Sequence, residues 1–135
     1  MPRLLLEEHL RVLHEELVAA VPERAPEYAS LLEAANSLRS EREASMPEAE
    51  LRRLERGFRD LLERPADDDV RAGVLIAAAV ADERAGVPRA VTSLMEWLAD
   101  GTRFPPGWVA AVHETLGRAR RSGVDPPPRL GPHRP

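Results

Sequence analysis

Leucine and valine recur along the chain at the three- and four-residue intervals of an amphipathic helix, and this pattern predicts helices throughout the sequence. The first apolar stripe alternates spacings of four and three and consists of Leu6, Leu10, Leu13, Leu17 and Val21. It predicts a first helix over about residues 4–21, with these side chains on one face. Pro22 ends that helix because its ring is incompatible with a helix interior.

Two further stripes predict a second and a third helix. Pro26 suits the first turn of the second helix, which we expect to end between residues 39 and 43. Its buried face is predicted to hold Tyr28, Leu31, Leu32, Ala35 and Leu38. The segment Ser45-Met46-Pro47-Glu48 matches a capping box, in which a serine side chain bonds the first turn. A third helix is therefore predicted to start there and to end before Pro65, with Leu51, Leu54, Phe58, Leu61 and Leu62 inward.

The stretch from Ala72 to Ala81 contains no polar side chain, although 31% of the chain is charged. A helix that is apolar on every face must be buried on every face. A membrane span needs about 20 apolar residues, and this stretch is half as long. We therefore predict a central small-residue helix over about residues 69–85, with no membrane contact, packed by neighbouring helices or by a second protomer.

Two more helices complete the predicted fold, one over about residues 88–99 and one from Pro106 or Gly107 towards Gly123. Residues 124–135 contain five prolines in twelve positions, which is typical of an extended or disordered tail. The predicted fold class is all-α, a compact bundle of about six helices around the central helix. Residues 1–122 are expected to form one helical domain, and residues 123–135 a flexible tail rich in proline and arginine.

Composition narrows the possible chemistry. Cysteine is absent, which excludes disulfides, zinc–thiolate sites and thiol nucleophiles. Lysine is also absent, so all 19 basic residues are arginines, a codon bias that indicates a GC-rich and therefore bacterial genome. The first apolar run meets Glu7 and Glu8 too soon for a secretion signal, so we expect a cytoplasmic protein.

The net charge of −4 is unevenly distributed, with −8 over residues 1–114 and +4 over residues 115–135. Non-specific affinity for nucleic acid comes from neutralising phosphates, and an acidic body disfavours it. Nucleic acid is thus a possible but not a favoured partner.

Candidate catalytic or metal-binding groups are few. Asp67, Asp68 and Asp69 precede the central helix, where carboxylates favour the positive end of the helix dipole. The alternative is a divalent-cation site, although the spacing of a calcium loop is missing. His9 and His14 lie about 140° apart around the first helix, so they cannot easily bind one ion together. We expect no catalytic residue, metal or cofactor, and an enzymatic alternative rests on these groups alone.

Residues 80–106 resemble the helix-turn-helix family of the Cro/C1 type. The resemblance lies in Gly86-Val87-Pro88, which would form the turn, and in Gly101-Thr102-Arg103-Phe104-Pro105, which would form the turn after the recognition helix. It implies that Arg89, Thr92, Ser93 and Glu96 face a DNA major groove. A plain helix end at Gly86 followed by proline explains the same residues.

The sequence therefore predicts a non-enzymatic interaction or regulatory protein that acts through protein–protein contacts, as a homodimer or with another protein. The candidate interface residues are Trp97, Trp108, Val74 and Ala78, because Trp97 falls outside its helix's apolar stripe and the central helix needs partners on all sides. The alternative function is a DNA-binding regulator that uses residues 80–106.

Overall fold

The computed structural model describes residues 1–62 and 70–122, and within these ranges the chain is helical and contains no strand. The six α-helices are α1 (Arg3–Ala20), α2 (Ala29–Ser45), α3 (Glu48–Leu61), α4 (Ala72–Arg84), α5 (Ala90–Leu98) and α6 (Pro106–Arg121). A 3₁₀ helix, Pro22–Tyr28, joins α1 to α2. The predicted all-α class and the number of helices are confirmed. The predicted tail lies outside the described residues.

Helix α4 is the centre of the fold and contacts each of the other five α-helices. Ala72, Gly73 and every residue from Ile76 to Asp82 are buried. Small side chains allow this enclosure: a Cβ atom on Gly73 would lie 2.5 Å from the Cα atom of Glu55 in α3. The prediction of a central small-residue helix is confirmed, and the helix is covered by its own chain.

Aromatic side chains from α3, α6 and the loop before α6 fill the space beside α4. The ring of Phe58 meets Trp108 edge-on, with 4.9 Å between centroids, and Phe104 stacks on the other side of Trp108 at 4.9 Å. The indole nitrogen of Trp108 donates a hydrogen bond of 3.0 Å to the backbone carbonyl of Leu98. A buried indole N–H needs such a partner, so this bond fixes the orientation of the ring.

Helices α1 and α2 form a hairpin that lies against the remaining helices. Among the described residues of α1 and α2, Leu4 alone belongs to the main hydrophobic core. The other buried side chains of these two helices are Glu7, Ala35 and Arg42. The hairpin therefore joins the body mainly through one end of α1 and through polar contacts.

Two predicted helix ends differ from the structure. The second α-helix begins at Ala29 rather than Pro26, because Pro22–Tyr28 adopts a 3₁₀ helix, and it continues to Ser45. The capping box is wrong as well. Ser45 is the last residue of α2, Pro47 is the N-cap of α3, and no side chain caps that helix. Glu48 instead accepts a hydrogen bond of 2.9 Å from Arg42, so a tertiary contact replaces the local one.

Arg84, at the end of α4, joins the ends of three helices. Its guanidinium donates hydrogen bonds to the backbone carbonyls of Arg120 at 3.1 Å and Ser122 at 2.6 Å, at the C-terminal end of α6. It also reaches the carbonyl of Ser45 at the end of α2, at 3.3 Å. A cation at a helix C-terminus satisfies carbonyls that have no partner within the helix. The C-terminal ends of α2, α4 and α6 are thus held near one another.

Within residues 1–62 and 70–122, no helix has the length and apolar character needed to cross a bilayer.

Candidate interaction surfaces

The residues expected to form an interface on α4 lie inside the molecule. Ala78 is buried, and Val74 is half-buried, with its backbone N–H donating to a carboxylate oxygen of Glu55 at 3.0 Å. Both residues pack against the core that the chain itself provides. Because the neighbouring helices enclose α4, a second protomer is not needed to cover it.

The two tryptophans have different environments. Trp108 is 9% exposed and belongs to the core, contrary to the expectation of an exposed anchor. Trp97 is 42% exposed and touches Phe104 edge-on at a centroid distance of 5.7 Å. Trp97 therefore remains a candidate for contact with another molecule, at the outer end of a row of rings that leads to Phe58.

The candidate DNA-contacting residues lie together on the exposed side of α5. Arg89, Thr92, Ser93 and Glu96 are all exposed. Arg89 adopts a left-handed backbone conformation, with φ of 56°, directly before the helix. Its guanidinium pairs with Glu96 at 2.9 Å, so the one cation of this group is neutralised within the group.

The candidate metal-binding residues do not come together within the described part of the chain. Asp67, Asp68 and Asp69 lie outside the described residues. Across residues 1–62 and 70–122, histidine, cysteine and carboxylate side chains form no group of three or more that could hold an ion. His9 is exposed and His14 is half-buried, at different positions around α1.

The leucine stripe of α1, which is Leu6, Leu10, Leu13 and Leu17, is an apolar surface that does not pack against the main hydrophobic core. Leu6 is 50% exposed and the other three leucines are half-buried. At about 100° per residue, the four side chains fall within an arc of about 60°, and Leu4 lies about 120° or more away from it. Since Leu4 is the residue of α1 that enters the core, the leucine stripe points away from the body.

Helix α2 extends this surface. Leu31 and Leu38 are seven residues apart, so they share one side of the helix, and both are half-buried. Neither they nor the leucine stripe pack against the main hydrophobic core within the described part of the chain. The leucines of the hairpin are therefore partly covered within the hairpin and partly exposed to solvent.

Ion pairs hold α1 against α2 and α4. Glu7 is buried against Arg42, whose guanidinium lies 3.2 Å from both carboxylate oxygens. The backbone N–H and the guanidinium of Arg3 hold the buried carboxylate of Asp82 at 2.8 and 2.9 Å. The hydrogen bond to Asp82 raises the pKa of Arg3, while burial opposes that shift. The Glu7–Arg42 pair joins the two helices of the hairpin, and the Arg3–Asp82 pair attaches the hairpin to α4.

The sequence predicted the leucine stripe as one face of the first helix and left open what covers it. Its alternating spacing of four and three is the narrow seam of helices that pack in pairs, whereas a helix covering a globular core carries a wider stripe. That difference was readable from the sequence. The inward direction of Glu7 and Arg3 was not, because their partners lie 35 and 79 residues away.

No protein-family model, curated protein or solved structure matches the chain.

Proposed function

We propose that this protein is a non-enzymatic helical interaction protein that acts by self-association through the α1–α2 hairpin. The observation that carries the proposal is the leucine stripe of α1, which is apolar, continuous and directed away from the core. A pair of helices cannot enclose such a stripe, and two hairpins can do so by forming a four-helix bundle. The occupant of the surface is therefore a second copy of the chain.

An antiparallel arrangement of the two α1 helices fits the charges that flank the stripe. His9 and Glu16 lie on the same flank, close to each other in angle, and both are exposed. When two stripes pack antiparallel about their midpoint, His9 of one copy comes next to Glu16 of the second copy, and the pair occurs twice by symmetry. A parallel arrangement would bring His9 towards His14 instead.

A non-enzymatic role is also supported by the sequence, which has no cysteine and no phosphate-binding loop and so lacks the groups of two common classes of enzyme. The bacterial cytoplasm is the setting we propose for this association, on the grounds of arginine-only basic composition and early glutamates.

The first test is the mass of the wild-type protein by sedimentation equilibrium over a wide concentration range. The proposal expects a concentration-dependent rise from 14.9 kDa to twice that value. A constant mass of one chain up to millimolar concentration would contradict self-association.

Charge changes at His9 test the orientation. Two exposed ion pairs are worth about 1 kcal/mol together, or about fivefold in affinity. His9→Arg should therefore tighten the dimer about fivefold, and His9→Glu should weaken it by a similar factor. Weakening by His9→Arg would contradict the antiparallel arrangement.

DNA binding through α5 is a second candidate, favoured by the shared exposure of Arg89, Thr92, Ser93 and Glu96. It expects salt-sensitive binding to duplex DNA that Arg89→Ala weakens, while Arg52→Ala, an exposed arginine on α3, leaves it unchanged. Absence of a mobility shift with genomic fragments at low salt would eliminate this candidate.

A further inference from the structure

A groove of about 470 Å³ lies between α3 and α6, on a different part of the molecule from the leucine stripe. Four arginines line it, Arg53 and Arg56 from α3 and Arg118 and Arg121 from α6, together with the single carboxylate of Asp60. The lining residues alone carry a charge of about +3 in a chain whose net charge is −4, while Glu50 and Glu114, outside the lining, pair with two of the arginines.

Half of these guanidinium groups are already paired. Arg53 binds Glu50 at 2.6 Å and the hydroxyl of Ser122 at 3.0 Å. Arg118 binds Glu114 at the longer distance of 3.2 Å. Within the described residues, Arg56, Arg121 and Asp60 make no hydrogen bond or ion pair. Two cations on opposite sides of the groove are thus available to a ligand.

Two glycines in helix interiors lie beside guanidinium groups of the groove. A Cβ atom on Gly57 would lie 3.3 Å from a guanidinium nitrogen of Arg118, and one on Gly117 would lie 3.4 Å from that of Arg121. Glycine in a helix interior costs about 1 kcal/mol relative to alanine. The missing Cβ of Gly57 lets the guanidinium of Arg118 lie close to the backbone of α3, whereas a Cβ on Gly117 would make an ordinary contact with Arg121.

We infer that this groove binds a small ligand with adjacent phosphate groups, for which inorganic pyrophosphate is the simplest representative. Guanidinium groups bind phosphate oxygens through two parallel N–H donors, and several phosphates in a row can match cations that approach from both helices. The volume lies within the range of small-molecule sites, about 300–1,000 Å³. Long nucleic acid fits less well because the rest of the surface is acidic.

The site keeps a carboxylate at one end. Asp60 accepts hydrogen bonds and repels further anions, so it favours a hydroxyl or amine of the ligand at its own end of the groove. The phosphate groups are then confined to the part of the groove between Arg56 and Arg121. The ligand class is accordingly a phosphorylated small molecule that also carries a hydrogen-bond donor.

Isothermal titration calorimetry with pyrophosphate, on the full-length protein in 0.15 M salt, tests the inference. Arg56→Ala and Arg121→Ala should each lower the affinity at least tenfold. The matched control is Arg52→Ala, which removes an exposed arginine of the same helix outside the groove and should change affinity less than twofold. Circular dichroism and thermal unfolding should show that all three variants are folded, because the changed side chains are exposed.

Three results would overturn the inference: no heat from wild-type protein at millimolar pyrophosphate, an equal loss in the Arg52→Ala control, or tighter binding of citrate than of pyrophosphate. The last result would indicate a carboxylate ligand instead. Binding of sulfate with the same affinity as pyrophosphate would indicate an adventitious ion only. Leu6→Glu should leave pyrophosphate affinity unchanged, which separates this site from the proposed self-association.

Discussion

Replacing Leu6 with glutamate should dissociate the proposed dimer without unfolding the chain. Leu6 is the first residue of the leucine stripe of α1 and, at 50% exposed in one chain, its most exposed member. Full burial of a leucine is worth about 1.5–3 kcal/mol, so covering the exposed half contributes roughly 1 kcal/mol per copy and about 2 kcal/mol per dimer. This loss alone weakens association about 30-fold, and burial of two carboxylates adds to it.

Val12→Glu is the matched control for this change. Val12 is on the same helix and is also 50% exposed, but it lies about 100° or more from the leucine stripe. Both variants add one negative charge and remove a similar apolar area, so they should have similar effects on the monomer. A glutamate at position 6 is in the first turn of α1, where a carboxylate favours the helix dipole.

The assay is sedimentation equilibrium of the two variants beside the wild type, combined with circular dichroism to establish folding. We expect Leu6→Glu to raise the dissociation constant at least about 30-fold and Val12→Glu to change it less than threefold. Equal weakening by both variants would refute a specific role of the leucine stripe. A folded Leu6→Glu protein that remains as dimeric as the wild type would refute it as well.

Three further predictions concern stability, measured by urea denaturation. Gly73→Ala should lower the free energy of unfolding by about 1–3 kcal/mol, because the added Cβ meets the backbone of α3. Gly107→Ala, which has open space around it, should raise that free energy by up to about 1 kcal/mol. Equal effects of the two variants would disprove the close approach of α3 and α4. Trp108→Phe should cost about 1–3 kcal/mol because a buried carbonyl loses its donor, and an unchanged midpoint would rule out that bond. Glu7→Ala should cost about 1–3 kcal/mol by removing one of the two carboxylates that pair with the buried guanidinium of Arg42, since Glu48 still binds it. Adding Arg42→Met should restore part of the loss, and if the double variant is no more stable than Glu7→Ala, the buried pair is not the cause.

The candidate surfaces were less predictable than the fold. The apolar stripe of its helix left out Trp97, which is exposed, but the pattern did not show that Phe58 and Phe104 pack on Trp108. The groove residues Arg56 and Arg121 are 65 positions apart, and each has an ordinary explanation as a solvent-facing charge. Their proximity depends on how α3 and α6 pack, which local spacing does not encode.

The sequence by itself determined the all-α class, the six helices and the burial of α4. These features follow from local periodicity and from the absence of any polar side chain between Ala72 and Ala81, which leaves no face of that helix for solvent. The helix ends were harder to predict, because Ser45 could either cap α3 or continue α2. In the structure Ser45 continues α2, and Arg42 of the same helix binds Glu48 of α3.

Only the tertiary structure decided which way α1 faces. A stripe of leucines shows that one side of a helix avoids water, and it does not show whether the covering surface belongs to the same chain or to another copy. Leu4 enters the core and Arg3 pairs with the buried Asp82 of α4, while the buried pair of Glu7 and Arg42 holds α1 against α2. The leucine stripe then faces outward, because the two sides of a helix cannot both face the core.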